Sequence, residues 1–338
     1  MKVALVTGAR GRVPMGLELA ETRLYDALRG TQNGTRVDLR VVGGRSARRY
    51  ARAIGGRWFP GLPSRGTERA FARADLVHLA GLDLPPPRGR RFVATVHDLA
   101  PLSFPDEGSL PPWTQEVAER AALVLCPSRF TATELESRLG VDGGRIRVVP
   151  NGPGQAVEAA DDPPAAPFFL RMGGYTERKN VPLLLQAWPE VRRRTGATLV
   201  LAGPPQAARD VQLAEAPSLD GVTVLDYAAP ELVARLLRTA TALVSTSRYE
   251  GFGLPPLEAM GAGTPVVAVR APFVEEVCGD AAVLVEDDPG ELADALVRVH
   301  DDNALAARLR AGGLERSREF SWERSAGLVL DAYRDAAP

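Results

Sequence analysis

Two glutamates, Glu250 and Glu258, stand with seven residues between them in the stretch 245–268, which reads Ser-Thr-Ser-Arg-Tyr-Glu-Gly-Phe-Gly-Leu-Pro-Pro-Leu-Glu-Ala-Met-Gly-Ala-Gly-Thr-Pro-Val-Val-Ala. The pattern runs from a strand through a glycine loop into a helix and on to the next strand. Pro255 and Pro256 suit a first helical turn, where a missing N–H costs nothing. Gly251 and Gly253 let the backbone come close to a ligand, and the N–H groups of Phe252, Gly253 and Leu254 at the helix start favour a phosphate. A carboxylate on either side of an anion site repels phosphate, but each accepts paired hydrogen bonds from vicinal hydroxyls. A phosphate bracketed by a sugar and a ribose would therefore satisfy the whole pattern. The plainer alternative makes Glu258 a partner of the helix dipole and Glu250 a solvated loop residue.

A second loop, residues 173–180, reads Gly-Gly-Tyr-Thr-Glu-Arg-Lys-Asn and follows a strand. Asn180 is a candidate cap for a helix beginning near Val181 and Pro182. Arg178 and Lys179 would then stand at that helix start, where two cations neutralise a diphosphate; the alternative is a solvated basic pair. Lysine is rare in this chain. Only Lys2 and Lys179 are lysines and all other cations are arginines, so Lys179 either marks a place where a compact point charge is wanted or stands there by chance.

These loops need a frame that repeats strand and helix. The 338 residues suggest two domains at about 100–200 residues each, and 45% hydrophobic with 25% charged residues is the composition of a globular chain. Short apolar strands are expected at 3–7, 37–42, 76–79, 92–96, 123–126 and 146–149. After a break they resume at 168–172, 198–202, 222–225, 242–245, 265–268 and 282–285, with helical patterns between. Residues 151–167 lack periodicity and hold clustered proline and glycine, which places a linker at 153–167 between domains 1–152 and 168–320. Helical patterning continues over 289–318, and Ser321 caps a last helix in 321–338. Two doubly wound α/β domains follow, with ligands expected at the carboxyl ends of their strands, in the cleft between the domains.

Charge is uneven. Residues 1–160 carry 23 Lys and Arg against 16 Asp and Glu, and the remainder of the chain carries 18 against 26, so the first half is suited to an anionic partner. Residues 45–58 read as a basic amphipathic helix with Arg45, Arg48, Arg49 and Arg52 on its outer face, fit for an anionic membrane, an anionic acceptor or plain solvent. No run approaches the ~18–20 apolar residues of a membrane-spanning helix, and the start of the chain reads as a strand entering a glycine loop; a cytoplasmic protein, peripheral at the inner membrane face, is expected. Cys126 and Cys278 lie among apolar neighbours and imply neither a disulfide framework nor a thiolate metal site. No groove-reading module or aromatic platform points to nucleic acid. His97 follows a strand and is a candidate functional histidine beside Asp98, while His78 and His300 have no constellation around them.

Taken together, residues 173–180, the paired glutamates, Val149-Pro-Asn-Gly152, Val96-His-Asp-Leu99 and Cys126-Pro-Ser-Arg-Phe-Thr131 resemble, in order and over nearly the whole chain, family 4 of the retaining GT-B glycosyltransferases. The resemblance implies two Rossmann-like domains facing across a cleft, the first on the acceptor side and the second binding the nucleotide sugar, with the helix in 321–338 returning to the first. It implies that Glu250 binds hydroxyls of the transferred sugar and Glu258 the ribose. Gly174 and the N–H groups of Phe252, Gly253 and Leu254 would lie on the donor, and Arg178 and Lys179 would stabilise the leaving diphosphate. His97 would reach the sugar or the acceptor, with Gly8, Gly11 and Asp98 on the acceptor side. The reaction would proceed on one face of the sugar, a donor phosphate oxygen taking the acceptor proton, with no metal and no cofactor beyond the donor.

Three features depart from the family pattern. Many members have arginine where Gly174 stands, the turn 150–154 lacks the usual acidic residue, and the loop 8–16 is only loosely like the family's. A mannose-like donor is implied, and the acceptor is not readable. Two other functions use the same features. A nucleotide-sugar epimerase would need acid and base groups, for which the chain offers His97 and Asp98; a non-catalytic nucleotide-sugar-binding scaffold would not need both glutamates and both cations.

Overall fold

A computed structural model describes residues 1–8, 17–30, 35–43, 48, 51–52, 56–60, 67–154 and 166–337. The chain divides into two compact units, Met1–Gly152 with Phe320–Pro338, and Pro153–Glu319.

Unit 1 contains β1 (Lys2–Gly8), α1 (Leu17–Gly30), β2 (Arg36–Gly43), β3 (Arg57–Pro60), α2 (Thr67–Phe71), β4 (Leu76–Leu79) and β5 (Phe92–Thr95). It continues with α3 (Thr114–Arg120), β6 (Leu123–Cys126), α4 (Arg129–Leu139) and β7 (Ile146–Val148), and closes with the last helix of the chain, α12 (Trp322–Ala336). Its seven parallel strands lie in the order β3-β2-β1-β4-β5-β6-β7. Every residue of β4 and β6 is buried, as expected of short strands covered on both faces. The direction of winding reverses between β1 and β4, so the loops after these strands diverge and leave a crevice.

The sequence pattern of α12 explains its place. Ser321 caps it by accepting from the Arg324 N–H at 3.1 Å, and Ala326, Val329, Leu330 and Tyr333 fall on one stripe, all buried in a cluster with Tyr25 and Leu28 of α1. Full burial of Val329 and Leu330 stabilises this unit by about 1.5–3 kcal/mol each. The returning helix also carries a polar anchor. His78 is fully buried; one ring nitrogen meets the Tyr333 hydroxyl at 2.7 Å and the other the Thr95 hydroxyl at 2.8 Å. Burial, reinforced by the nearby His97, lowers the His78 pKa to about 3.

Unit 2 holds β8 (Phe168–Met172), α5 (Val181–Thr195), β9 (Thr198–Ala202), α6 (Ala207–Ala214), β10 (Val222–Leu225), α7 (Pro230–Thr239) and β11 (Ala242–Ser245). Then come α8 (Leu254–Gly261), β12 (Val266–Val269), α9 (Pro272–Cys278), β13 (Val283–Val285), α10 (Pro289–Asp301) and α11 (Asn303–Ser317). Its six parallel strands run β10-β9-β8-β11-β12-β13, and the winding reverses between β8 and β11. The two loops singled out in the sequence are the ones that follow these strands.

Two local expectations are corrected and a third, over 289–318, is refined. Residues 57 and 58, read as the end of a basic helix, belong to β3, where Trp58 pairs with Val41 of β2; an aromatic pair after two glycines favours an edge strand over a helix end. The helical stretch 289–318 breaks at Asp302, whose carboxylate caps α11 by accepting from the Leu305 N–H at 2.9 Å. Asn180 precedes α5 but does not cap it: the residue has φ 47°, and its side-chain amide donates to Asp287 at 2.8 Å.

Candidate active site

The loop after β8 opens with Gly173, whose φ of +121° suits glycine, and passes through a tight turn at Glu177–Lys179 that ends with Arg178 and Lys179 side by side. The loop after β11 is laced to it by backbone. The Arg248 N–H donates to the Arg178 carbonyl at 2.8 Å, the Thr246 hydroxyl to the Lys179 carbonyl at 2.8 Å, and the Arg178 guanidinium to the Tyr249 carbonyl at 3.1 Å. Asp287 braces the same corner from below, accepting from Asn180 at 2.8 Å and from Arg248 at 2.6 Å. Arg178 and Lys179 are thereby brought into one cluster with Glu250, 72 and 71 residues further along the chain.

Within it Glu250 is clamped, one carboxylate oxygen on the Arg178 guanidinium and the other on the Lys179 ammonium. All three side chains are about 13–15% exposed, so the charges meet largely out of water. Burial alone would push the Glu250 carboxyl up; Lys179, Arg178 and a hydrogen bond from Ser247 outweigh it and hold the pKa at about 2. Burial lowers the Lys179 pKa, and Glu250 opposes that shift.

α8 begins next to this cluster in sequence. Gly253 precedes it with φ 102°, a conformation that favours glycine, and a Cβ there would crowd the Phe273 ring at 3.2 Å. Helix geometry leaves the N–H groups of the first turn unpaired along the axis, directed at whatever sits in front of Leu254. Phe252 keeps its side chain in the core at 5% exposure. Glu258 is half-buried on α8, and its carboxylate lies so close to Gly154 that a Cβ at 154 would come within 2.7 Å of it. At Gly174 a Cβ would meet the Gln206 amide oxygen at 3.0 Å.

In unit 1 the sequence candidates gather at the reversal point between β1 and β4. The Gly8 N–H donates to Asp83 at 2.7 Å, and a Cβ on Gly8 would lie 2.2 Å from that carboxylate. His97 Nε2 is 2.9 Å from the Ala80 carbonyl, which makes it the protonated ring nitrogen, and 3.7 Å from the Glu21 carboxylate. Glu21, buried on α1, accepts from the Thr7 hydroxyl at 2.8 Å. His97 and Glu21 line a cavity of about 30 Å³ that also touches Thr7, His78, Asn151 and Trp322. Asp98 is used locally: its carboxylate accepts from the Ala100 N–H at 3.1 Å and shapes the turn. Gly11, Arg45 and Arg49 lie outside the described residues, as do residues 155–165 of the linker; Arg48 and Arg52 are exposed.

Two family models match the chain, Glycosyltransferase Family 4 over residues 21–153 and Glycosyl transferases group 1 over residues 166–302. A D-inositol 3-phosphate glycosyltransferase of Pseudarthrobacter chlorophenolicus is 30% identical over 300 residues, which cover 78% of this chain and 71% of that protein. The chain belongs to the family 4 glycosyltransferases.

This is a family of retaining enzymes with nucleotide-sugar donors. The chain is also similar to the D-inositol 3-phosphate glycosyltransferase of a Nocardioides species, at 33% identity over 66% of this chain, and spans 55% of that protein's length. It is 29% identical to the O-antigen chain mannosyltransferase B of Escherichia coli over 74% of this chain and 71% of that one. Among solved structures, Anabaena HepE in complex with UDP and glucose matches with a TM-score of 0.74 at 17% identity over 99% of both chains, and the shared fold is GT-B.

Reading the glycosyltransferase sequence alone missed two residues that the structure places among the candidates. Arg171, at 2% exposure, lies under the loop after β8, and Glu21 lies beside His97. The signal for each was a charge in an otherwise apolar pattern: Arg171 interrupts Phe-Phe-Leu-Arg-Met on a central strand, and Glu21 stands where α1 faces the sheet.

Proposed function

We propose that this chain transfers a hexosyl group from a nucleoside-diphosphate sugar to an acceptor hydroxyl with retention, and that unit 2 holds the donor. The observation that carries the reading is the clamp of Arg178 and Lys179 on Glu250, next to the start of α8. Two buried cations that already hold a carboxylate are built to hold an anion. The donor diphosphate would take the place of the Glu250 carboxylate on Arg178 and Lys179, with the N–H groups of Gly253 and Leu254 as further donors. Glu250, released from the cations, would accept from hydroxyls of the sugar, while Glu258 would accept from the ribose. As the C1–oxygen bond to the diphosphate breaks, the cations stabilise the charge left on the leaving group. The acceptor oxygen bonds to C1 on the same face, and its proton passes to a phosphate oxygen of the leaving group.

The first domain, residues 1–152 with the returning helix in 321–338, is assigned the acceptor, with His97 as its candidate contact to the sugar or the acceptor and Gly8, Gly11 and Asp98 as further acceptor-side candidates. Likeness to a mannosyltransferase supports a mannose-like donor. Among the described residues no helix is long and apolar enough to cross a membrane. A cytoplasmic location with peripheral membrane contact goes with this reading, and the exposure of Arg48 and Arg52 leaves both side chains accessible to an anionic surface.

The test is incubation with GDP-mannose, UDP-glucose and related donors, with and without acceptors such as inositol phosphates, while released nucleotide and product anomer are measured. Acceptor-dependent release with retention is expected. Acceptor-independent conversion of one donor sugar into its epimer, or binding without turnover over the whole panel, would overturn the assignment.

A further inference from the structure

Arg171 occupies a central position on β8 and is almost fully buried, where an arginine is rare unless paired. Its guanidinium donates to the carbonyls of Gly173 and Gly174 and stands 5.0 Å from the centre of the Tyr175 ring. Among the described residues no carboxylate forms an ion pair with it; Glu250, which it feels across the cluster, is held by Arg178 and Lys179. Burial lowers its pKa to about 10, so it is still a cation at neutral pH. The cluster therefore contains three cations and one carboxylate.

The loop it touches is pinned on its other sides. The Tyr175 N–H donates to Gln206 at 2.6 Å and the Tyr175 carbonyl accepts from Gln212 at 2.9 Å. Gly203 packs so tightly that a Cβ there would lie 2.0 Å from the Gly173 carbonyl oxygen. The Lys179 ammonium sits above the same loop, 3.8 Å from where a Cβ on Gly173 would be. Carbonyl oxygens repel an anion and backbone N–H groups attract one, so a loop that approaches phosphate has to turn its carbonyls away. Arg171 ties down the two carbonyls that matter.

We propose that Arg171 is a positioning residue for the donor diphosphate, holding the carbonyl edge of Gly173 and Gly174 inward and adding fixed positive charge behind the phosphates. The proposal rests on the donor reading above. It acts in two ways that can be separated, because the fork spans two carbonyls while the charge acts at a distance.

The experiment measures binding of UDP, GDP and inorganic pyrophosphate, with UMP and GMP as monophosphate counterparts, to wild type, Arg171→Met, Arg171→Lys and Arg171→Gln, each checked by thermal melting. Arg171→Met is expected to weaken the diphosphates by about tenfold or more and the monophosphates by about twofold or less, with a raised donor KM and a smaller change in kcat. Arg171→Lys should recover less than half of the loss, since one ammonium does not reproduce the fork. Should Arg171→Met fail to fold, Arg171→Gln, which keeps two donors and loses the charge, is expected to show the same loss of preference for two phosphates over one. Folded variants that keep the wild-type ratio of diphosphate to monophosphate affinity, with only a lowered melting temperature, would overturn the proposal and leave the donor reading standing. Absence of diphosphate binding in the wild type would overturn both.

Discussion

Unit 1 anchors its returning helix through a neutral buried histidine, whereas unit 2 gathers ions in the loops after β8 and β11. His78 has hydroxyls on both ring nitrogens and a pKa of about 3, so it sits in the sheet uncharged. Arg171, Arg178, Lys179 and Glu250 are held as charges, and the carboxylate among them stays ionised down to about pH 2. A neutral hydrogen-bonded group fixes structure at modest cost; a set of largely buried charges with two cations in excess costs more, a cost that an arriving anion would offset. The contrast separates the anchor that holds α12 on unit 1 from the cluster proposed to take the donor.

The sharpest way to break that contrast is to remove the carboxylate. Glu250→Ala should cut sugar transfer by about 10³-fold or more while the melting curve stays cooperative, because the residue sits in a strand-end loop. Normal turnover would remove Glu250 from the site. Lys179→Ala should lower kcat by about 10²-fold, and Lys179→Arg should also be impaired, since a planar fork does not fit a pocket shaped for a point charge; full activity of the arginine variant would make the lone lysine an accident of composition. Glu258→Ala is expected to raise the donor KM about tenfold with little change in kcat, measured by steady-state kinetics, because the proposed ribose contact would be made equally before and during reaction.

On the unit 1 side, Tyr333→Phe leaves one ring nitrogen of His78 without its hydroxyl partner. It should cost about 1–2 kcal/mol in urea unfolding and spare donor affinity, the opposite signature to the glutamate variants. Acid gives the smallest and most graded test. His78 is neutral when folded, so below its unfolded value of 6.5 the unfolded state takes up the proton first, and the stability it confers is lost as pH falls from 6.5 towards about 3. For Glu250 the depressed carboxyl contributes stability that is complete above 4.5 and lost as pH falls towards about 2. Trp188 is the single tryptophan of unit 2, and Trp58, Trp113 and Trp322 belong to unit 1, so fluorescence of tryptophan-substituted variants follows each unit alone. Unit 1 should weaken first on acidification; the reverse order would contradict the assignment of the two buried sets.

By itself the sequence determined the alternation of strands and helices, the reversal loops that carry Arg178, Lys179 and Glu250, the helix start before Glu258, and the cap at Ser321, because these depend on local periodicity, glycine and capping chemistry. The apolar stripe of α12 was equally legible, since 3.6-residue spacing is written in the chain itself. What only tertiary structure decided was pairing at a distance. That Asn180 serves Asp287 instead of its own helix, that Glu250 rests on Arg178 and Lys179, and that His78 meets Tyr333 across 255 residues depend on which strands lie adjacent at each reversal point. The same holds for Arg171: in the sequence it is one arginine among many, and only the turn of the backbone after β8 brings the carbonyls of Gly173 and Gly174 back over its guanidinium. Local patterns arise from a residue and its near neighbours, whereas charge compensation depends on the three-dimensional path of the chain, and no spacing rule encodes it.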